Sequence, residues 1–420
     1  MSIQQRKKVA IIGAGPSGMM AAWFLAPHCD VLLFDRNSRP GKKFLVAGKG
    51  GLNLTHDENP SDFIQKYHPS GFLDPVIAEF DNTAFRKWLL DLGIKTFTGS
   101  SGKVFPEKEF NASDCLKAIF SNIIGRGVTF YPNHTLLSVS PEREIVFSID
   151  KPGPAAVESG HNPHKGHVTY KPDYIILALG GASWQITGSD GSWTRIVENI
   201  GVNTLPFKHS NCGINISWND NIKLHHSGKP LKNVTSTIAG SKRPKVSGEA
   251  LITETGLQGT AIYPLIPEIR QCLDTGMKCE LIIDFKPRND EESLLRKINE
   301  NTKPSEYKEI FHLDGPQLSV IKAFVSKSDY LNPRSFCRNL KQVLIPIDSL
   351  PPIDECISVV GGIPIQELNS DLSFRKHSFL YAIGEMVNWD APTGGYLLQA
   401  CFSMGAFVAH SILQKSILLR

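Results

Sequence analysis

The six residues Gly13-Ala14-Gly15-Pro16-Ser17-Gly18 constrain this chain more than any other stretch. They follow VAII, a β-branched apolar run that reads as a buried strand. They open a run from Ser17 to Leu25 that can form a helix, with Pro27 consistent with its end. DVLLFD, residues 30–35, is a second buried-type strand. Strand, glycine turn, helix and strand within about 30 residues make a βαβ unit whose strands lie inside a parallel sheet. Gly13 permits the tight turn, Gly15 keeps a side chain away from where a pyrophosphate approaches the backbone, and Gly18 lets helix and strand pack closely. The free N–H groups and positive end of that helix then favour a diphosphate. Asp35 ends the second strand about 20 residues beyond Gly15, placed to accept hydrogen bonds from a ribose diol. A lone GxGxxG can be a structural turn, but strand, helix, second strand and terminal acid together point to a dinucleotide. The spacing does not separate NAD from FAD.

The C-terminal segment LYAIGEMVNWDAPTGGYLLQACFSMGAFVAH bears on that choice. It sets a buried strand before Gly384-Glu385, then a loop, then Thr393-Gly394-Gly395-Tyr396 at the start of a long apolar helix. A site built from both ends of the chain suits an extended ligand such as FAD. Glycines at a helix start leave N–H groups free to meet the O2 edge of a flavin, where the dipole favours the anion formed on reduction. Cys401 and Met404 fall in the helix body and read as core.

At 420 residues the chain suggests two or three domains, and 41% hydrophobic with 20% charged residues is a globular composition rather than a disordered one. A formal charge of +4, from 45 basic and 41 acidic residues, is too mild to argue for a nucleic-acid partner. The eight cysteines are scattered without a CxxC, which suits a reducing, cytoplasmic compartment and excludes an active-site dithiol. His161, His164 and His167 fall in a Gly/Pro-rich stretch between two strand-like runs and read as a long surface hairpin loop rather than a metal site. Two uncharged runs, 9–27 and 394–413, read as helices or strands buried inside the protein rather than as membrane spans.

The chain therefore reads as an α/β protein. Residues 1–194 form the first part of a Rossmann-like domain, 195–355 an inserted mixed β plus helical domain on the substrate side, and 356–420 the rest of the first domain. Within it, 74–92 reads as holding a helix, FNASDCLKAIFSNIIG as a helix capped by Asn111 or Ser113, and HTLLSVS with REIVFSI as paired strands.

Four blocks carry a resemblance: VAIIGAGPSGMMAA, GKKFLVAGKGGLNLTH, YIILALGGASWQITGSDG and IGEMVNWDAPTGGYLLQA. With GKVFP and ETGLQGTAIY they make the chain resemble, over essentially its whole length, the BaiN/YhiN-type NAD(P)/FAD-dependent oxidoreductases of the wider glutathione-reductase-like FAD class. The resemblance implies FAD held by the N-terminal βαβ unit and the C-terminal helix. Gly13, Gly15 and Gly18, with Ala14, Pro16 and Ser17 between them, match the pyrophosphate turn, and Asp35, followed by Arg36, matches the ribose acid. Gly384 and Glu385 match the position facing the ribityl and phosphate portion, Gly180 and Gly181 lie in the third block, and Gly394, Gly395 and Tyr396 match the loop under the isoalloxazine. In the second block Gly50, Gly51 and Asn53 suit a loop close to the isoalloxazine and diphosphate. Lys42 or Lys43 can offset phosphate charge, and Lys49 either approaches the flavin or faces water.

The second block also departs from its relatives. Many carry GRK followed by SGGGRCN-T; here Lys42 stands at the arginine position, and Gly51-Leu52 replaces the Arg-Cys pair. That argues against thiol–flavin chemistry and leaves the substrate open. No second GxGxxG follows a strand, so the flavin is expected to be turned over either by NAD(P)H as a transient reductant or by oxygen. Tyr396, His56 and Glu254 are candidate acids or bases through their place beside glycine-rich blocks, with packing the simpler role for each. The function expected is two-electron transfer on a small-molecule substrate. The alternatives are an FAD-dependent RNA-modifying enzyme, for which SKRPK at 241–245 and LNPRSFCRNLK at 331–341 supply sparse charge, and a non-catalytic flavin-binding regulator. Oligomeric state is not legible.

Overall fold

The computed structural model describes residues 6–48, 51–149 and 166–418, with side chains through 415. Lys49, Gly50, His161 and His164 lie outside the described residues. The chain divides into two compact units, one made of Met1–Lys208 with Val359–Arg420, the other of His209–Ser358.

The first unit is built on a five-stranded parallel sheet whose order across the sheet is Leu380–Ala382, Tyr174–Leu177, Lys8–Ile12, Asp30–Phe34 and Thr129–Tyr131. The strand at residues 8–12 has a neighbour on both sides, and its Val9, Ala10, Ile11 and Ile12 are buried, as expected for a continuous apolar run inside a parallel sheet. The fingerprint helix, Pro16–Leu25, packs along the C-terminal helix, Tyr396–Leu418. The helices come so close that a Cβ on Gly405 would stand 2.3 Å from the Ser17 carbonyl oxygen. This C-terminal helix is long and apolar enough to cross a membrane, and 67% of that stretch is buried within the protein, as for a core helix.

The segment 74–92 is two helices rather than one, Asp74–Glu79 and Asn82–Asp91. Asp81 ends the first run by capping the second, its Oδ1 accepting from Ala84 N at 2.8 Å. Asn111 caps the helix Ala112–Gly125 in a full capping box with Asp114. The strands His134–Val139, Ile145–Ile149 and His167–Tyr170 form an antiparallel sheet, so His167 belongs to a strand.

The second unit is a six-stranded antiparallel sheet with helices such as Ile266–Asp274, Gly315–Phe324 and Pro333–Leu340. Its helical part packs on aromatic rings, with Tyr307 and Phe336 stacked at 3.9 Å.

Candidate active site

A cleft of about 1030 Å³ opens at the C-terminal ends of the parallel strands in the first unit, where α/β sheets bind ligands. Gly13, Gly15, Pro16 and Ser17 form one wall. The first bond of the fingerprint helix runs from Met19 N to Gly15 O, so the Ser17 and Gly18 N–H groups precede the ladder. The three fingerprint glycines differ physically. A Cβ on Gly13 would stand 2.2 Å from Ala178 O, and one on Gly18 would stand 1.9 Å from Gly13 O, so both are required by the protein's own packing. A Cβ on Gly15 would meet no protein atom within 4 Å and would project from the cleft wall.

Asp35 lines the same cleft. Its Oδ2 accepts from Ala14 N at 2.9 Å and its Oδ1 from Asn37 N at 2.7 Å, which fixes the carboxylate across the turn and leaves acceptor capacity on both oxygens. Burial raises its pKa and these bonds oppose the rise. Arg36 pairs with Asp190 at 2.6 Å, and Asn37 donates to Thr187 O at 3.0 Å while accepting from Lys42 Nζ at 2.6 Å. These contacts tie the loop 187–192 across the cleft. At another wall Lys43 Nζ lies 2.7 Å from Glu385 Oε2 and 3.0 Å from Ser183 Oγ. Cys401 is buried as expected of a core residue, yet it also lines the cleft; burial pushes its thiol up to about 12, so it stays protonated.

Of the residues singled out by sequence, Gly13, Gly15, Pro16, Ser17, Asp35, Arg36, Lys42, Lys43, Gly180, Gly384 and Glu385 line this cleft. Ala14 acts through its N–H on Asp35, and Gly18 through helix packing. Gly181 packs against Val359, where its Cβ would come within 2.7 Å, rather than lining the cleft. His134, Thr135 and Leu136 line it too, with Thr187 to Asp190, Ser192 and Trp193. The tertiary fold brings His134 there, and no local motif marks it. Thr187 to Asp190 lie in the block GASWQITGSDG, whose turn glycine Gly188 (φ 99°) was the available signal.

Gly51, Asn53, Gly394, Gly395 and Tyr396 do not line the cleft. Tyr396 and Gly395 belong to a second polar cluster in the first unit, centred on His56 and Tyr396. Gly395 (φ 97°) abuts the Thr55 backbone, where a Cβ would come within 2.5 Å, so the start of the C-terminal helix presses on the strand Thr55–His56. The His56 ring stacks on Tyr396 with centroids 5.2 Å apart, and Tyr67 donates to Tyr396 O at 2.9 Å. His56 Nε2 lies 3.0 Å from Ser101 O and must carry the hydrogen there, since a carbonyl only accepts. Its Nδ1 lies 3.7 Å from Glu58 Oε1. Burial first, and then the Glu58 carboxylate, push the Tyr396 phenol well above the ordinary tyrosine range. Asn53 Oδ1, Thr55 Oγ1, His56 Nδ1 and Glu58 Oε2 are buried without a hydrogen-bond partner, an unusual concentration of unmet polar groups. Glu58 was not marked by any motif. Glu254 is exposed in a turn of the other unit, between the strands Val246–Ile252 and Gly256–Gln258.

The chain is 23% identical over 428 residues to the 3-dehydro-bile acid delta(4,6)-reductase of Clostridium scindens, covering 97% of this chain and 99% of that one. It is 24% identical to the ribosomal RNA dihydrouridine synthase of Escherichia coli, covering 95% and 96%. Among solved structures it resembles the 3-ketosteroid-delta4-(5alpha)-dehydrogenase of Rhodococcus jostii RHA1, with TM-score 0.50, 13% identity, and 97% and 98% of the two chains covered. At that identity the likeness speaks for the fold. The family model of the HI0933-like protein Rossmann domain matches residues 7–411. With nearly its whole length matched, the chain belongs to the HI0933-like Rossmann family.

Proposed function

We propose that this protein is an FAD-dependent oxidoreductase that reduces a carbon–carbon double bond conjugated to a carbonyl in a small organic molecule. The observation that carries the reading is the cleft around Gly15: a glycine that no protein packing demands, set among helix N–H groups, a fixed carboxylate and a lysine. These residues fit FAD. Gly15 and the Ser17 and Gly18 N–H groups would hold the diphosphate, Asp35 a ribose, and Lys43 would add positive charge. Two-electron transfer is the chemistry that bound FAD supplies.

The chain's own part is the proton. Tyr396 holds one at Oη throughout the neutral range, because burial and Glu58 disfavour its phenolate. His56, fixed by Ser101 and stacked on the Tyr396 ring, orients that donor. The chemistry of the two relatives supports the choice of bond, since both names denote saturation: a delta(4,6)-reductase reduces double bonds, and dihydrouridine is uridine with two added hydrogens. A nucleic-acid base as substrate is the second reading, favoured by the full-length match to the second of them.

Anaerobic mixing of the FAD-loaded protein with NADH or NADPH, followed by a cyclic enone or a uridine-containing RNA, tests both readings. Bleaching of the flavin band by a nicotinamide and its recovery with the enone supports the first. Recovery only with the RNA supports the second. A flavin that neither acceptor reoxidises after chemical reduction overturns both.

A further inference from the structure

The inserted unit contains a second cleft, about 810 Å³, far in character from the first. Lys232, Lys286 and Arg288 contribute three cations to its walls against the one carboxylate of Asp314. Among the described residues neither Lys232 nor Arg288 pairs with a carboxylate. Asp314 is already engaged, its Oδ1 accepting from Gln317 N at 2.8 Å to cap the helix Gly315–Phe324. Lys286 is half-buried, and its Nζ donates to His312 O at 3.1 Å. Burial lowers its pKa, with Asp314 pulling the other way. Cations gathered around one recess repel one another.

The walls are also held in advance. Lys341 Nζ sits 2.7 Å from Asp284 Oδ2 and donates to the carbonyls of Lys286 and Asn289, fixing the turn Lys286-Pro287-Arg288-Asn289 from behind. Opposite, the ladder between Pro230–Ile238 and Val246–Ile252 shifts register between Leu231 and Val234, which takes Lys232 and Asn233 out of regular pairing. Asn233 (φ 54°) and His312 (φ 48°), both cleft residues, adopt left-handed backbone that non-glycine residues seldom take.

We propose that this cleft binds the phosphate group of a phosphate ester. Arg288 offers a planar fork for two phosphate oxygens, Lys232 and Lys286 act as point charges, and the amides of Asn233 and Asn289 add neutral donors. The site is independent of the flavin reading, since every residue belongs to the other unit.

The test uses protein saturated with FAD, so that the diphosphate-binding wall of the first unit is filled, and titrates it calorimetrically with inorganic pyrophosphate. Saturable binding is expected, at least tenfold weaker in Lys232→Ala and in Arg288→Ala, with Arg288→Lys intermediate because it keeps the charge and loses the fork. Flavin content and spectrum should stay unchanged, which separates this result from any failure of the flavin reading. A fluorescent single-stranded RNA displaced by pyrophosphate assigns the phosphate to a polynucleotide backbone. Binding of pyrophosphate without RNA assigns it to a small phosphorylated molecule. No saturable binding by the wild type, or equal affinity in both alanine variants, overturns the proposal.

Discussion

The imidazole of His56 lies over the phenol of Tyr396, their planes 17° from parallel, although the two residues come from opposite ends of the chain. The stack holds Tyr396 beside Glu58, and burial first, then that carboxylate, disfavours the phenolate. Replacing Tyr396 with Phe preserves the ring packing and removes the proton. Substrate reduction should slow by about 10²-fold or more, while flavin content and its reduction by a chemical donor stay as in the wild type. Single-turnover mixing reads the two half-reactions separately, and an undiminished rate of substrate reduction excludes Tyr396 as the donor.

Gly15 and Gly13 should fail in different ways. Gly15→Val adds atoms only to the cleft, so the protein should fold with an unchanged melting temperature and lose its flavin. Gly13→Ala drives a Cβ into Ala178 O and should cost about 1–3 kcal/mol or more of stability. Thermal melts beside the flavin-to-protein absorbance ratio distinguish the two. Stoichiometric flavin in Gly15→Val contradicts the placement of the diphosphate.

Lys43 and Glu385 form a largely buried pair, their side chains 24% and 15% exposed. Lys43→Met leaves a carboxylate unpaired in the cleft and should weaken FAD binding at least about tenfold, besides lowering stability. Adding Glu385→Gln should restore stability without restoring affinity, because the positive charge is still missing. Equal recovery of both in the double variant would mean that the pair is structural only.

His134 gives the protein an acid-sensitive element. Burial lowers its pKa below the ordinary 6.5, so the folded state holds it neutral more firmly than the unfolded state does. Below pH 6.5 the unfolded chain binds the proton first, and stability falls as pH drops from there toward the folded-state pKa. Melting temperatures from pH 7.5 down to 5.5 should fall less steeply in His134→Gln than in the wild type. Parallel profiles assign the acid loss to other groups.

What could be read from the sequence follows from how local each signal is. The fingerprint turn and its strands are short-range features of residues 8–35, and the structure has them in parallel register. Asp81 could have been read as a helix start inside 74–92, but the apolar pattern runs through it. His134 and the loop 187–192 reach the cleft only through tertiary pairing, His134 by way of a strand that belongs to a different sheet. The glycines at 394–395 were legible as a helix start; that Gly395 presses on Thr55 and brings Tyr396 against His56 was not.

The fingerprint helix shares its buried face with a helix that leaves the ribosome almost four hundred residues later. Until then Met20, Ala21 and Ala22 lack the surface that covers them, and the sheet lacks its edge strand at 380–382. Synthesis therefore delivers the fingerprint turn long before the helix that covers it. The inserted unit, complete by residue 358, can fold while the first unit is still waiting. A chain halted before residue 396 would leave the fingerprint helix without the helix that covers it.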